Sequence, residues 1–295
     1  MALTLAEAAK LSNDVLLTGV VETIIKDSPV LQRLPFIEIV GNGLTYNREN
    51  AAPSADFFDV GDTWIESTPT FTQQTVALKI MGGDADIDNF LIATRSNVQD
   101  VETAVVQLKA KAVQQLFEQT FVTGDEGTFA KEFDGLDELC DPAQTISMGV
   151  NGGSLTLDKL DELIDAVQGG KPEILLMSRR SRRILNKLAR ASGSFLEAER
   201  DEFGQMLQFY DGIPVGVSDY IADDQTVGTS TDCSTIYAFQ MGEGGLVGLT
   251  SPGGLHVERV GSLETKDASR TRIKWYSSLA LFNAVKLSRL IGVRP

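Results

Sequence analysis

The chain has 295 residues, with 26 Lys and Arg against 41 Asp and Glu, and therefore carries a formal net charge of −15. This acidic balance argues against a sequence-independent DNA-binding protein, which needs a cationic surface to displace counterions. The length is sufficient for one large domain or two ordinary ones with a substantial core. Two cysteines, Cys140 and Cys233, exclude a disulfide-rich scaffold and favour a reducing, cytoplasmic setting. Because His256 is the single histidine, serine–histidine and cysteine–histidine catalysis are poor expectations.

The first segment of the chain predicts a helix. Thr4 and Glu7 have the spacing of a capping box, apolar residues recur through Val15–Ile25, and Ser28-Pro29 ends the pattern. Little sequence surrounds this helix, so we expect it to dock on the body of the protein or on another subunit. The opening residues do not resemble a secretory signal, and no run of 18 apolar residues predicts a membrane span or a membrane partner.

Residues 48–82 predict two extended arms joined by a loop near Gly61–Pro69. Thr75–Ile80 has the clearest strand pattern. An arm of about 13 residues would reach about 43 Å, whereas a compact body of this size has a radius of gyration of about 19 Å. We therefore expect the arms to project, with the aromatic side chains of Phe57 and Phe58 in solvent unless a neighbouring molecule covers them.

A long helix follows, from about Asn97 to Thr123. Ser96 and Gln99 form a second capping box, and Gly124-Asp125 ends the pattern. At 1.5 Å per residue, about 27 residues make a rod of roughly 40 Å. The apolar stripe predicted to be buried comprises Val98, Val101, Val105, Leu108, Ala112 and Leu116.

From Ser154 to Leu255 strands and helices alternate, which predicts a compact α/β unit. Thr156 is expected to cap one helix, which Gly169-Gly170 ends, and Ser178 to cap a second helix. The strands predicted in this unit are Glu173–Met177, Ile213–Val217, Ser234–Gln240 and Leu246–Leu249, and the tail predicts further strands within Leu255–Val260 and Arg270–Val293.

Two motifs resemble ligand sites but lack essential residues. Asp84, Asp86 and Asp88 have the spacing that opens a calcium loop, without the Gly and Glu that such a loop needs. We favour a turn whose carboxylates cap the long helix or pair with cations. The glycines between Gly242 and Gly254 match no phosphate-binding motif, so we expect turns between strands.

Four arginines, Arg179, Arg180, Arg182 and Arg183, lie in the first turns of a predicted helix, where the helix dipole disfavours cations. Something should therefore supply negative charge. Nucleic acid and carboxylates on a neighbouring copy are both candidates, and we favour the neighbouring copy. A solvated basic face is the third interpretation.

The remaining reactive side chains predict no chemistry. Cys140 has no neighbouring group in the sequence that would activate it, so we expect a structural thiol. His256 stands alone. Lys79, in the predicted arm, could form an isopeptide bond with an asparagine of another subunit, but nothing around it supports that hypothesis. We expect no catalytic residue, metal or cofactor.

The order of these elements, together with several local strings, resembles the major capsid proteins of tailed bacteriophages that have the Hong Kong 97 type fold. The strings are Thr70–Thr75, Gly82–Phe90, Gly124–Glu126 and Glu132–Leu136. The resemblance implies an α+β fold with an N-terminal arm, an extended E-loop hairpin, a peripheral domain with a long spine helix, and an axial α/β domain. The implied boundaries are 1–47 for the arm and the entry to the peripheral domain, 48–82 for the E-loop, 83–150 for the peripheral domain, 151–254 for the axial domain, and 255–295 for the return to the peripheral domain.

A capsid role implies that copies of this chain assemble as hexamers and pentamers into an icosahedral head, in the host cytoplasm, around double-stranded DNA that they contact weakly and without sequence specificity. Portal and decoration proteins are further implied partners. Because the predicted arm begins almost at Met1, we expect either that a separate scaffolding protein assists assembly or that the chain is a processed product, and the initiating Met argues against processing. The candidate intersubunit contacts are Phe57, Phe58, Trp64, Ile65, Phe71, Lys79, Arg179, Arg180, Arg182 and Arg183.

Two other functions fit parts of the sequence. An encapsulin-type nanocompartment shell has the same fold but encloses a cargo protein. The other candidate is a soluble α/β enzyme that uses carboxylates such as Asp84, Asp86 and Asp88. This function does not explain the projecting hairpin.

Overall fold

The computed structural model describes residues 30–51, 55–64, 66, 68, 70–95, 101–193, 197–200, 206–242 and 244–295. The α-helices of this part are α1 (Asn89–Arg95), α2 (Val101–Thr123), α3 (Leu136–Leu139), α4 (Leu157–Asp165) and α5 (Arg179–Ala191), with 3-10 turns at Pro142–Gln144 and Ala284–Lys286. The strands are β1 (Phe36–Glu38), β2 (Gly43–Ala51), β3 (Thr70–Ala77), β4 (Lys79–Asp88), β5 (Thr145–Ser147), β6 (Gly153–Ser154), β7 (Ile174–Met177), β8 (Glu197–Arg200), β9 (Met206–Tyr210), β10 (Ile213–Val217), β11 (Gln225–Val227), β12 (Ser230–Phe239), β13 (Leu246–Ser262), β14 (Ala268–Leu281) and β15 (Leu287–Arg294).

These strands form three sheets. A four-stranded sheet has the order β1-β13-β14-β4, and within the described part of the chain β2 and β3 pair only with each other, as an antiparallel hairpin. The nine-stranded sheet has the order β5-β15-β12-β7-β10-β9-β8, with β11 and β6 paired to β12 and β15. In this sheet β7 and β10 are parallel neighbours, and the connection between them contains helix α5 followed by β8 and β9. A helix between parallel strands is the α/β pattern that the sequence predicts.

Three apolar clusters hold the fold together. The largest places α2 against both large sheets and includes Val113, Phe117 and Phe239. The second lies between the nine-stranded sheet and helices α4 and α5. The third, smaller cluster lies at the base of the hairpin. Burial of this apolar surface is the main favourable term in the free energy of folding.

Helix α2 confirms the predicted rod, but it turns a different face toward the core. Phe117 is fully buried and Phe121 nearly so, whereas Leu108 and Leu116 of the predicted stripe are 45% and 43% exposed. The helix has apolar side chains on two faces, and the face with the larger aromatic surface is the one that is buried. The stripe Leu108, Ala112 and Leu116 is therefore left on the outside, and the predicted capping residues Ser96 and Gln99 lie outside the described residues.

In the α/β unit both predicted helix caps are confirmed. The Thr156 hydroxyl accepts a hydrogen bond from the Lys159 amide, and the Ser178 hydroxyl accepts one from the Ser181 amide. The predicted strands are also present, although β12 and β13 begin or end several residues beyond the predicted bounds.

The two last strands of the chain, in the segment 255–295, belong to different sheets. Strand β14 joins the four-stranded sheet, whereas β15 lies in the nine-stranded sheet, between β5 and β12. Its buried residues Leu287, Leu290 and Val293 need apolar cover on both faces, which the middle of the larger sheet supplies.

The predicted N-terminal helix, residues 4–25, lies outside the described residues. Within the described part, no helix is long and apolar enough to cross a bilayer.

Candidate self-association surfaces

The base of the β2–β3 hairpin is attached to its own chain. The Tyr46 hydroxyl and the Arg48 guanidinium both donate to the Leu281 carbonyl, at 2.9 and 2.5 Å. Burial raises the pKa of Tyr46 above its ordinary value, so the hydroxyl keeps its proton and can donate. Leu44 and Val76 pack on the cluster that contains Leu249. These contacts fix the direction in which the hairpin leaves the body.

The distal part of the hairpin is exposed. The side chains of Phe57 and Val60 have no cover at all, at 106% and 102% of full exposure, and Trp64 is 77% exposed. Phe58 stacks on Trp64 with a ring-centroid separation of 4.3 Å, so these two rings contact each other within the loop that joins β2 and β3. Phe71 is also exposed, and Ile65 lies outside the described residues. Several large apolar groups are therefore presented to solvent on one extended element.

Lys79 is placed differently from the expectation. It is not on the projecting arm, because the predicted strand Thr75–Ile80 is divided at Leu78 and Lys79 begins β4 in the four-stranded sheet. Its ammonium lies 2.6 Å from the Glu126 carboxylate and donates to the Ala130 carbonyl at 3.0 Å. The side chain is only 12% exposed and is thus already used within its own chain.

The loop that holds Lys79 contains two of the strings that carry the family resemblance. Gly124 and Gly135 close it, and the Gly135 amide donates to the Gly124 carbonyl at 2.9 Å. A β-carbon on Gly135 would lie 2.5 Å from the Thr120 carbonyl oxygen, so this close approach needs glycine. The Asp134 carboxylate accepts from the Glu126 amide at 2.9 Å, which orients Glu126 toward Lys79.

The acidic triplet lies in strand β4, so the predicted turn is wrong, but the predicted pairing with cations is correct. Asp84 faces Arg272 and Asp86 faces Arg270 across the β4–β14 ladder, each through two hydrogen bonds of 2.6–3.0 Å. The hydrogen bond from Arg270 holds the pKa of Asp86 well below its ordinary value, and Lys266 acts in the same direction. Carboxylates held ionised in this way do not act as general acids near neutral pH.

Asp88 has a separate role, since its carboxylate accepts from the Phe90 amide at the start of α1.

The four arginines of α5 divide into two pairs. Arg179 makes a bidentate ion pair with Asp219, at 2.5 and 2.6 Å, and Arg180 lies 3.3 Å from the Asp223 carboxylate. Both carboxylates follow β10. Since β7 and β10 are parallel, the residues that follow each strand lie at the same edge of the sheet. The position of Asp219 and Asp223 just after a predicted strand is therefore the sequence signal that could have identified them as partners of the arginines.

Arg182 and Arg183 are exposed and form no ion pair with the described residues. The negative charge that we expected from another molecule is therefore supplied by the chain's own carboxylates for Arg179 and Arg180. Arg182 and Arg183 receive none from the described residues. An intersubunit role for any of the four stays a prediction.

Sequence reasoning missed another exposed surface, the distal half of β13. Leu255, Val257 and Val260 are about half exposed, and along this stretch β13 pairs with β14 on one side only among the described residues. Gly253 and Gly254, both at positive φ, coincide with a register shift that separates this half from the buried half. An edge strand with unpaired backbone and apolar side chains is an attractive surface for another chain.

The glycine-rich segment is only partly what the sequence predicts. Gly242 and Gly245 form a turn before β13, with the Gly245 amide donating to the Gly242 carbonyl at 2.9 Å. Gly248, in contrast, lies within the strand, where a β-carbon would collide with the ring of Phe36.

The two thiols are buried and free, and burial raises the pKa of Cys140, as expected for a structural thiol. The single histidine, His256, has its Nε2 atom 3.1 Å from the Pro252 carbonyl.

A family model described as the phage capsid family matches residues 11–260 of this chain. The chain therefore belongs to the phage capsid family, as the sequence strings indicate, and has the structural role of a major capsid protein. Among curated proteins no sequence matches significantly.

Solved structures share the fold at low sequence identity. The holo-SrpI encapsulin complex from Synechococcus elongatus PCC 7942 is similar with a TM-score of 0.74 and 20% identity, covering 100% of this chain and 97% of that one. The capsid of a native GTA particle gives 0.67 and 13%, with 95% and 92% covered, and Microbacterium phage Oxtober96 gives 0.63 and 15%, with 100% of both chains covered. These similarities confirm the predicted Hong Kong 97 type fold.

Proposed function

We propose that this chain assembles with copies of itself, as hexamers and pentamers, into an icosahedral phage head that encloses double-stranded DNA and catalyses no reaction. In this proposal the four-stranded sheet and α2 form the peripheral domain and the nine-stranded sheet forms the axial domain. Scaffolding, portal and decoration proteins would assist in the host cytoplasm.

The observation that carries the proposal is the hairpin. Its base is bonded to its own body through Tyr46 and Arg48, while Phe57, Val60 and Phe71 are exposed. In an isolated molecule, the exposed apolar side chains of the hairpin contribute nothing to stability. If a neighbouring copy covers them, the free energy of association becomes more favourable by about 25 cal/mol for each Å² of apolar surface removed from water. The same contact repeats between identical copies until the surface closes.

The triple variant Phe57→Ser/Val60→Ser/Phe71→Ser tests this contact. These side chains lose little packing within the subunit, so the melting temperature of the unassembled protein should stay within a few degrees of wild type, while electron microscopy should find no shells. The matched control, Phe57→Leu/Val60→Ile/Phe71→Leu, keeps the apolar surface and should assemble. Normal shells from the serine variant would contradict the proposal.

A second candidate, an encapsulin-type shell, is favoured by one observation. The encapsulin from Synechococcus elongatus PCC 7942 superposes with a higher TM-score than the two phage-type capsids named above. Native particles distinguish the two functions, because a phage head protects DNA from nuclease and an encapsulin contains a cargo protein.

A further inference from the structure

Two helices on the same face of the nine-stranded sheet carry opposite charges on their outer sides. Leu160 and Leu163 of α4 and Leu185 of α5 belong to one buried cluster, so both helices turn their charged sides away from that sheet. The exposed charges of α4 are Asp158, Asp161, Glu162 and Asp165, and those of α5 are Arg179, Arg182, Arg183, Lys187 and Arg190.

Several of these charges have no partner in the described part of their own chain. On α4, Asp161 accepts from the Tyr210 hydroxyl at 2.6 Å and Glu162 pairs with Lys159 at 2.6 Å, while Asp158 and Asp165 pair with no described cation. We call the surface formed by Asp158, Asp161, Glu162 and Asp165 the acidic face.

On α5, Arg179 is neutralised by Asp219, but Arg182, Arg183 and Lys187 form no ion pair with a described residue. We call these three cations the basic face. Two of them lie near the N-terminus of the helix, where the dipole disfavours a positive charge. A partner that brings negative charge would remove this cost.

We infer that the basic face of one copy docks on the acidic face of the next copy, in a head-to-tail contact around each capsomer. The inference rests on the proposed function as a shell subunit. Each copy would use both faces once, which is the requirement for a heterologous contact that closes into a ring. Helix α5 is about 20 Å long and α4 about 14 Å, so several pairs can face each other at once. Arginine binds carboxylates through two parallel hydrogen bonds, which gives the contact orientation as well as attraction.

Nucleic acid is the competing ligand for the basic face. The surrounding charge argues against it, because Asp219 and Asp223 lie beside the first turn of α5 and the chain as a whole carries −15. A phosphate backbone approaching α5 would meet these carboxylates, whereas a second copy can present its acidic face and avoid them.

Charge reversal on the full-length protein tests the contact. One variant is Arg182→Glu/Arg183→Glu, another is Asp158→Lys/Asp165→Lys, and a third combines all four changes. The reversals should leave the fold intact: glutamates near the start of α5 favour the helix dipole, and in α4 a lysine near the start and one at the end have opposing effects. The matched control, Arg182→Lys/Arg183→Lys, keeps the charge.

We expect either reversal alone to lower the fraction of protein that sediments as shells at least about tenfold, and the combined variant to recover most of it, because the attraction is restored with the signs exchanged. The control should assemble. The arginine reversal changes the net charge from −15 to −19 and the aspartate reversal to −11, so overall repulsion alone would make the second variant assemble better than wild type.

Three results would overturn the inference. Normal shells from both reversals would do so and leave the proposed function intact. An effect of the arginine reversal alone, without rescue in the combined variant, would assign the basic face to DNA or another ligand. Failure of the wild-type protein to form shells under any condition would refute the proposed function itself.

Discussion

The ring of Phe117 lies 4.7 Å from that of Trp275, centroid to centroid, and this contact attaches helix α2 to strand β14. The rings of Phe36 and Phe133 also lie beside that of Phe117, at centroid distances of 5.9 and 5.5 Å. The cluster brings together residues that lie far apart in the sequence. It is therefore the point at which one substitution should loosen the largest core.

Phe117→Ala should lower the free energy of unfolding by about 3–5 kcal/mol, because it removes a fully buried ring and leaves a cavity. The neighbouring substitution Leu116→Ala, on the outer face of α2, should change it by less than about 0.5 kcal/mol in the unassembled subunit. Urea unfolding followed by circular dichroism measures both. Equal effects would show that α2 is oriented differently.

Asp86→Asn should alter the dependence of stability on pH. Arg270 lowers the pKa of Asp86 in the folded state, so the carboxylate stabilises the fold above its unfolded pKa of about 4, and this stabilisation is lost as the pH falls toward the lowered folded pKa. The difference in melting temperature between wild type and variant should therefore be large at pH 7 and shrink below pH 4. Asp165→Asn, which also removes one negative charge but breaks no described ion pair, is the matched control. A difference that is the same at all pH values would contradict this role.

Tyr46→Phe should loosen the base of the hairpin. The variant loses the hydrogen bond to the Leu281 carbonyl but keeps the ring that packs on Phe282 at 4.9 Å, so the cost should be about 0.5–1.5 kcal/mol. Hydrogen exchange of the amides in 43–51 should become faster while the exchange of β7 and β12 stays the same. Unchanged exchange in the hairpin would mean that Arg48 alone holds it.

Gly135→Ala should destabilise the loop that holds Lys79. The added methyl group would meet backbone atoms of Thr120 and Gly124 at 2.5 and 2.8 Å, and backbone moves only at a cost of about 1–3 kcal/mol. Gly244→Ala has open space around the added group and should be nearly neutral. A comparison of the two melting temperatures separates this steric effect from the general effect of replacing glycine.

The parts of the fold that follow local rules were predictable from the sequence. Thr156 and Ser178 cap helices because their hydroxyls bond amides three residues away, and Ile213–Val217 has the predicted strand bounds. The buried face of α2 was not predictable, since Leu116 and Phe117 are both apolar and only the packing against Trp275 decides between them.

The candidate surfaces follow the same distinction. The exposure of Phe57 follows from the length of an arm that a compact body cannot cover. The partners of Arg179 and Lys79 could not be predicted, because Asp219 and Glu126 reach them through strand pairing and loop closure across 40 and 47 residues. The position of β15 in the larger sheet depends on a similar long-range pairing.

The burial of both Cys140 and Cys233 has a practical consequence. Alkylating reagents cannot reach either sulfur while the native packing persists, so the rate of maleimide labelling would report how often the subunit opens. The folded molecule offers a background free of reactive thiols, and a cysteine introduced at position 57 would become the single fast-labelling site. Its protection on mixing with other copies would then record the coverage of the hairpin tip in real time.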